Sequence, residues 1–203
     1  MTEWSAGWRR AARMARLLSW VSLGWMTGEG VLGLVAGLGA GSISLVGWAL
    51  GSVIEGLASV IVIWRFTGSR TLSATAETAA RKAVAASLFL LAAYIAVQSI
   101  GDLLVGHASV TSVLGMVLTA ASVLLMPALG VAKQRLGARL GSGATAGEGV
   151  QNLLCAAQAA AVLGGLALTG TLGWWWIDPV IGLVVAAVAI REGRRSWRGE
   201  DCC

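Results

Sequence analysis

The stretch that decides the fold is Leu17–Trp64, LLSWVSLGWMTGEGVLGLVAGLGAGSISLVGWALGSVIEGLASVIVIW. It holds no Lys or Arg, and basic residues flank it at Arg16 and Arg65. One membrane crossing takes about 20 apolar residues, so a basic-free run of roughly 45 to 50 fits two crossings and a tight turn. The same pattern repeats along the chain. All 15 Lys and Arg residues fall in four clusters, Arg9–Arg16, Arg65–Lys82, Lys133–Arg139 and Arg191–Arg198. Three basic-free intervals predict six spans, and the positive-inside rule puts every cluster and both termini in the cytoplasm.

Composition agrees. Of 203 residues, 57% are hydrophobic and only 12% charged, and the mean hydropathy is +0.77. A soluble domain carries about 25% charge, so this chain has too little polar surface to solvate a globule. The expected class is all-α: a polytopic six-helix bundle in the cytoplasmic membrane. Segment 1–19 reads as a basic N-terminal segment, 20–190 as the transmembrane domain and 191–203 as a short tail. The net charge of +5 does not point to nucleic acid. The basic residues are dispersed beside apolar spans, where anionic lipid headgroups are their natural partners. No cleaved signal peptide is expected, the first span acting as its own insertion signal, and no disulfide framework is expected in a reducing compartment.

The predicted spans are about 20–37, 43–64, 83–104, 110–131, 150–171 and 179–190. Gly39–Ser42 and Gly106–Ala108 mark outer turns, Trp174–Trp176 suit the outer interface, and Asp178 with Pro179 is predicted to cap and start the last span. Residues 65–82 and 133–149 read as cytoplasmic loops, the first partly helical. Pro127 is a candidate kink.

Polar groups at membrane depth are costly and prompt functional readings. Glu29, Glu55 and Cys155 are the deep candidates. At about 1.5 Å per residue, Glu55 lies about 20 Å and Cys155 about 25 Å below the outer turns, close enough to meet between the second and fifth spans. Gly51 with Glu55, and Gln151 with Cys155, have i, i+4 spacing and share a helix face. Two such pairs on facing helices would suit a tetrahedral divalent cation, although only Glu55 and Cys155 can carry negative charge. Plainer readings stand beside this one. Glu55 can be neutral and hydrogen-bonded to Ser52, Ser59 or a neighbouring helix, and Cys155 can be a packing residue. Glu29 fits either a packing interface or a proton route, and His107 a solvated turn. Cys202 and Cys203 fit a tail open to acylation or weak metal binding. No nucleophile–base constellation is present, and no enzymatic activity is expected.

The layout resembles the cation diffusion facilitators, above all the short bacterial branch without a C-terminal cytoplasmic domain. The segments that carry the resemblance are GSISLVGWALGSVIEGLASVIVIWRF (Gly41–Phe66), RLGARLGSGATAGEGVQNLLCA (Arg135–Ala156) and LGWWWIDPVIGLVVAAVAIREG (Leu172–Gly193). The resemblance implies a homodimeric efflux carrier that exchanges a divalent transition metal for protons. It carries the metal-ligand positions onto Gly51 and Glu55 of the second helix and Gln151 and Cys155 of the fifth. Glu55 and Cys155 would be the primary ligands, Gln151 a neutral one, and Glu148 a carboxylate at the cytoplasmic mouth. The thiolate would favour Zn²⁺ or Cd²⁺ over Mg²⁺, with the metal as cargo rather than prosthetic group. Gly51 and Gln151 depart from the family's acidic or histidine ligands. The rival expectation is therefore a transport-incompetent scaffold or partner subunit of the same fold.

Overall fold

The computed structural model describes residues 6–40, 43–106, 113–172 and 174–200. Among these the chain forms long α-helices and no strand: α1 Ala6–Ala40, α2 Ile43–Arg65, α3 Ala74–Val105, α4 Val113–Leu140, α5 Gly143–Leu172 and α6 Ile177–Arg198, with a 3-10 turn at Gly68–Leu72. The all-α expectation holds. Among the described residues two helices are long and apolar enough to cross a membrane, α3 and the Met116–Leu140 part of α4. His107, Cys202 and Cys203 lie outside the described residues.

Helix continues well past the apolar spans at the basic end. The segment expected as a loop at 133–149 is helical except at Gly141 and Ser142. Ser142 starts α5 by accepting the Thr145 N–H at 3.2 Å, which satisfies one of the unpaired donors of a first turn. The loop expected at 65–82 shrinks likewise. Ser73 caps α3 by accepting the Ala76 N–H at 3.1 Å. Composition misled here, because Gly, Ser, Thr and Ala serve in these segments as caps and close-packing residues. The start of α6 also differs from expectation. The cap position is Trp176, which makes no side-chain capping bond, so Asp178 and Pro179 lie inside the first turn, where a proline costs no helical hydrogen bond. Pro127 lies inside α4, which remains helical across it. Gly106, expected in a turn, ends α3 in the left-handed conformation with φ 71°.

One end of the bundle gathers the starts of α1, α3 and α5 and the ends of α2, α4 and α6. Glu77 at the start of α3 accepts Arg65 Nε at 2.7 Å, Ser142 Oγ at 3.0 Å and the Ala144 N–H of α5 at 3.2 Å. Arg81 donates to the Ser196 and Trp197 carbonyls at the end of α6. All the described basic clusters therefore share this end.

Helix α5 is the hub, packed against α2, α3, α4 and α6, while α1 lies along α2 and also touches α4. Apolar clusters fill the seams. Leu88, Leu91, Ile95, Leu154, Val185 and Ala189 join α3, α5 and α6, and Met26, Met126, Leu129 and Cys155 join α1, α4 and α5. The larger apolar side chains elsewhere face outward, including Val35 on α1, Val53 on α2, Val97 on α3, Leu124 on α4 and Val184 on α6.

The α4–α5 crossing is made by backbone contact. A Cβ placed on Gly149 would lie 2.7 Å from the Gly130 carbonyl oxygen, and one on Gly130 would lie 2.9 Å from that of Gly149. Small residues of this kind let helices approach closely in the absence of strong side-chain interdigitation. Gly149→Val should lower the detergent-phase melting temperature, by about 1–3 kcal/mol of stability for an overpacked contact. Gly101→Ala, with nothing within 4 Å of the added carbon, should not lower it. Thermal unfolding followed by circular dichroism checks the pair.

Candidate functional site

Four helices turn polar side chains inward at helical spacing. On α1 these are Ser19, Ser22 and Glu29; on α2, Ser52, Glu55 and Ser59; on α4, Thr119, Ser122 and Lys133; on α5, Glu148, Gln151, Asn152 and Cys155. All are buried. Steps of three, four, seven and eleven residues, each near a whole number of turns, keep most of each set on one face, with Asn152 beside Gln151. The bundle therefore has a polar seam inside and large apolar side chains outside.

The part of the seam nearer the basic end is a closed ion-pair network. Lys133 Nζ lies 2.6 Å from Glu148 Oε1, with the two side chains 0% and 1% exposed. The ammonium also donates to Ser22 Oγ at 2.5 Å and to Asn152 Oδ1 at 3.4 Å. Its three N–H groups thus have three acceptors, the full donor capacity of a lysine. The other carboxylate oxygen, Glu148 Oε2, accepts Ser19 Oγ at 2.7 Å. Asn152 Nδ2 in turn reaches Ser22 Oγ at 3.1 Å and Met126 Sδ at 3.3 Å. Lys133, expected in a solvated loop, is instead buried on α4, and Glu148 is held in its ion pair rather than at an open mouth. The physical reason is the two-residue connection after Leu140, which brings Glu148 of α5 back alongside Lys133.

Farther along, the seam is less complete. The Glu55 carboxyl of α2 and the Cys155 thiol of α5, both buried, lie close enough to interact. Glu29 of α1 is near enough to act electrostatically on both. Its carboxyl accepts a hydrogen bond from Ser122 Oγ of α4, which itself accepts Trp25 Nε1 at 3.1 Å. Gln151 Oε1 lies 3.5 Å from Ser87 Oγ on α3, a long contact for a hydrogen bond. Gly51 faces α3 as well: a Cβ placed on it would lie 3.5 Å from the Tyr94 ring. Glu29 Oε2, Glu55 Oε2 and Gln151 Nε2 are buried with no hydrogen-bond partner. Such atoms are uncommon in a finished core and call for an explanation.

Of the residues singled out from sequence, Glu55 and Cys155 are brought together and Gln151 lies one turn away on α5. Glu148 belongs to the neighbouring network. No group of three His, Cys, Asp or Glu side chains is arranged to hold a metal ion among the described residues. Sequence reasoning missed Lys133, Ser22, Asn152 and Ser122. The signal was available in the three- and four-residue spacing of polar side chains along α1 and α4, rather than in the acidic residues alone. No protein-family model and no curated protein matches this chain.

Breaking a buried pair strands a charge and costs about 3–5 kcal/mol. Lys133→Met and Glu148→Gln should each lower stability markedly, and the double variant should be less impaired than the two losses summed. A double-mutant cycle on thermal unfolding reads this as a coupling of at least about 1 kcal/mol; additive losses would argue against the ion pair.

Proposed function

We propose that the chain is a multi-pass membrane carrier of the cation-efflux kind, moving a divalent transition-metal ion outward from the cytoplasm in exchange for protons. The observation that carries this reading is the buried meeting of Glu55 and Cys155 from different helices, with a carboxylate oxygen left unpartnered beside them. A carboxylate and a thiolate are the two ligands of this chain able to offset the charge of a dication in a low-dielectric seam. Both must lose a proton to bind, so metal binding and proton release are linked. Gln151 adds a neutral oxygen, and Glu29 adds negative potential.

Six crossings are part of the same reading. The outward apolar side chains on α1, α2, α3, α4 and α6 suit lipid, and the inward polar seam suits a carrier. Trp174 and Trp176 stand exposed just ahead of α6, at the end of the bundle away from the basic clusters, which suits an aromatic interface. The basic end then faces the cytoplasm, and pairing of two copies completes the resemblance to the cation diffusion facilitators.

A second reading is favoured by one specific feature. With Gly51 offering no side chain and Glu148 committed to Lys133, the pair Glu55–Cys155 lacks a third charged ligand. A scaffold or partner subunit of the same fold would need none.

Uptake of Zn²⁺ and Cd²⁺ into proteoliposomes separates the two. The carrier reading expects uptake driven by an opposing proton gradient, lost at least about tenfold in Glu55→Gln and in Cys155→Ser, since removing one charged ligand from a buried site costs several kcal/mol. Wild-type vesicles that take up neither ion would leave the scaffold reading.

A further inference from the structure

A second site lies at the basic end, away from the seam. A cavity of about 510 Å³ opens between the first turns of α1 and the segment after α2, with Arg9, Arg10, Arg13 and Arg16 on one wall and Phe66 and Thr71 on the other. Its volume falls within the range of small-molecule sites, about 300–1,000 Å³. We propose that these four arginines bind the phosphate group of an anionic ligand, seated against α1 at the cytoplasmic end of the bundle.

Three observations converge on this. First, the charges are concentrated. Arg9 and Arg13 are at i, i+4, and Arg10 with Arg13 and Arg13 with Arg16 at i, i+3, spacings at which like charges destabilise a helix unless something neutralises them. Second, no partner among the described residues does so. No ion pair among the described residues involves Arg9, Arg10 or Arg13. Other arginines at this end are engaged: Arg65 is paired to Glu77, Arg70 stacks on Trp64 and Arg81 caps α6. Third, the walls are fixed. Arg16 donates to the Phe66 carbonyl at 3.2 Å, tying α1 to the end of α2, and Ala12 and Ala15 are packed in one apolar cluster with Phe66 and Val62. The site is thus a held concavity rather than a loose basic tail. Planar guanidinium groups match the paired oxygens of a phosphate monoester or diester, and the Thr71 hydroxyl on the facing wall adds a hydrogen-bonding group.

Two sources supply this chemistry: an anionic phospholipid headgroup at the membrane surface, which rests on the membrane reading above, or a soluble phosphate compound. The test uses the full chain, delipidated in detergent, and the variant Arg9→Gln/Arg13→Gln. Both positions are exposed and the change relieves like-charge repulsion, so the variant should melt no lower than wild type without ligand. Native mass spectrometry with phosphatidylglycerol against phosphatidylcholine reads the lipid arm. Melting with inorganic phosphate at constant ionic strength reads the soluble arm. The proposal expects wild type to retain phosphatidylglycerol over phosphatidylcholine by at least about tenfold, and the variant to lose about tenfold of that retention, since each arginine near a lipid surface contributes a several-fold factor. Phosphate that raises the wild-type melting temperature, but not the variant's, and displaces phosphatidylglycerol would assign the site to a soluble phosphate compound. Equal retention of the two lipids without a phosphate effect, or wild type and variant alike in both arms, overturns the site.

Discussion

Burying a lysine in the middle of a helical bundle is the constraint around which the rest of this structure is arranged. Moving an ammonium and a carboxylate out of water costs several kcal/mol per ion after relaxation, and their attraction repays this only with good geometry and every remaining hydrogen-bonding valence filled. Lys133 and Glu148 meet both conditions. They touch at 2.6 Å, and Ser19, Ser22 and Asn152 complete the set. Those partners come from α1 and α5 and Lys133 itself from α4, so the network fixes three helices at once. The close glycine crossing of α4 and α5 then becomes intelligible, because it lets the two ion-pair helices approach.

The contrast with the neighbouring part of the seam is informative. There the polar groups are equally buried but not satisfied: oxygens of Glu29 and Glu55 and the amide nitrogen of Gln151 lack partners. An unpartnered buried polar atom costs about 1–3 kcal/mol. A chain that completes one network and leaves the next open has its adaptable chemistry in the open one. This contrast is what supports the proposal that Glu55 and Cys155 handle a cation, while Lys133 and Glu148 tie their helices together. The arginine-lined cavity is independent of both, since its charge faces outward and its walls belong to α1 and the segment after α2.

Much of the architecture was legible in the sequence because it is written in charge spacing. The basic clusters set the number of helices and put their ends together, and the helical periodicity of Glu55 and Cys155 put them on facing sides of α2 and α5. The helix ends were less legible. Ser73 and Ser142 act as caps through contacts visible only when their helices are in place, and an Ala- and Gly-rich run such as Gly143–Gly149 reads as a loop until its packing partner is known. Lys133 was the hardest residue to interpret. Hydropathy counts its charge but not the Glu148 fifteen residues later that neutralises it, and the short α4–α5 turn that joins them lay hidden inside the supposed loop. Gly51 and Gln151 were recognised as weak ligand positions, and that they face Tyr94 and Ser87 on α3 is a tertiary fact no spacing rule contains.

The most direct test of the central claim, a carboxylate and a thiol from separate helices closing on one cation, is the zinc coordination shell itself. X-ray absorption at the zinc edge can be measured on the full chain carrying Cys202→Ser and Cys203→Ser, loaded with one equivalent of zinc in lipid nanodiscs. The account expects a single sulfur neighbour at about 2.3 Å with oxygen or nitrogen completing the shell, the sulfur disappearing in Cys155→Ser. A shell of oxygen and nitrogen alone in the otherwise wild-type protein would contradict it.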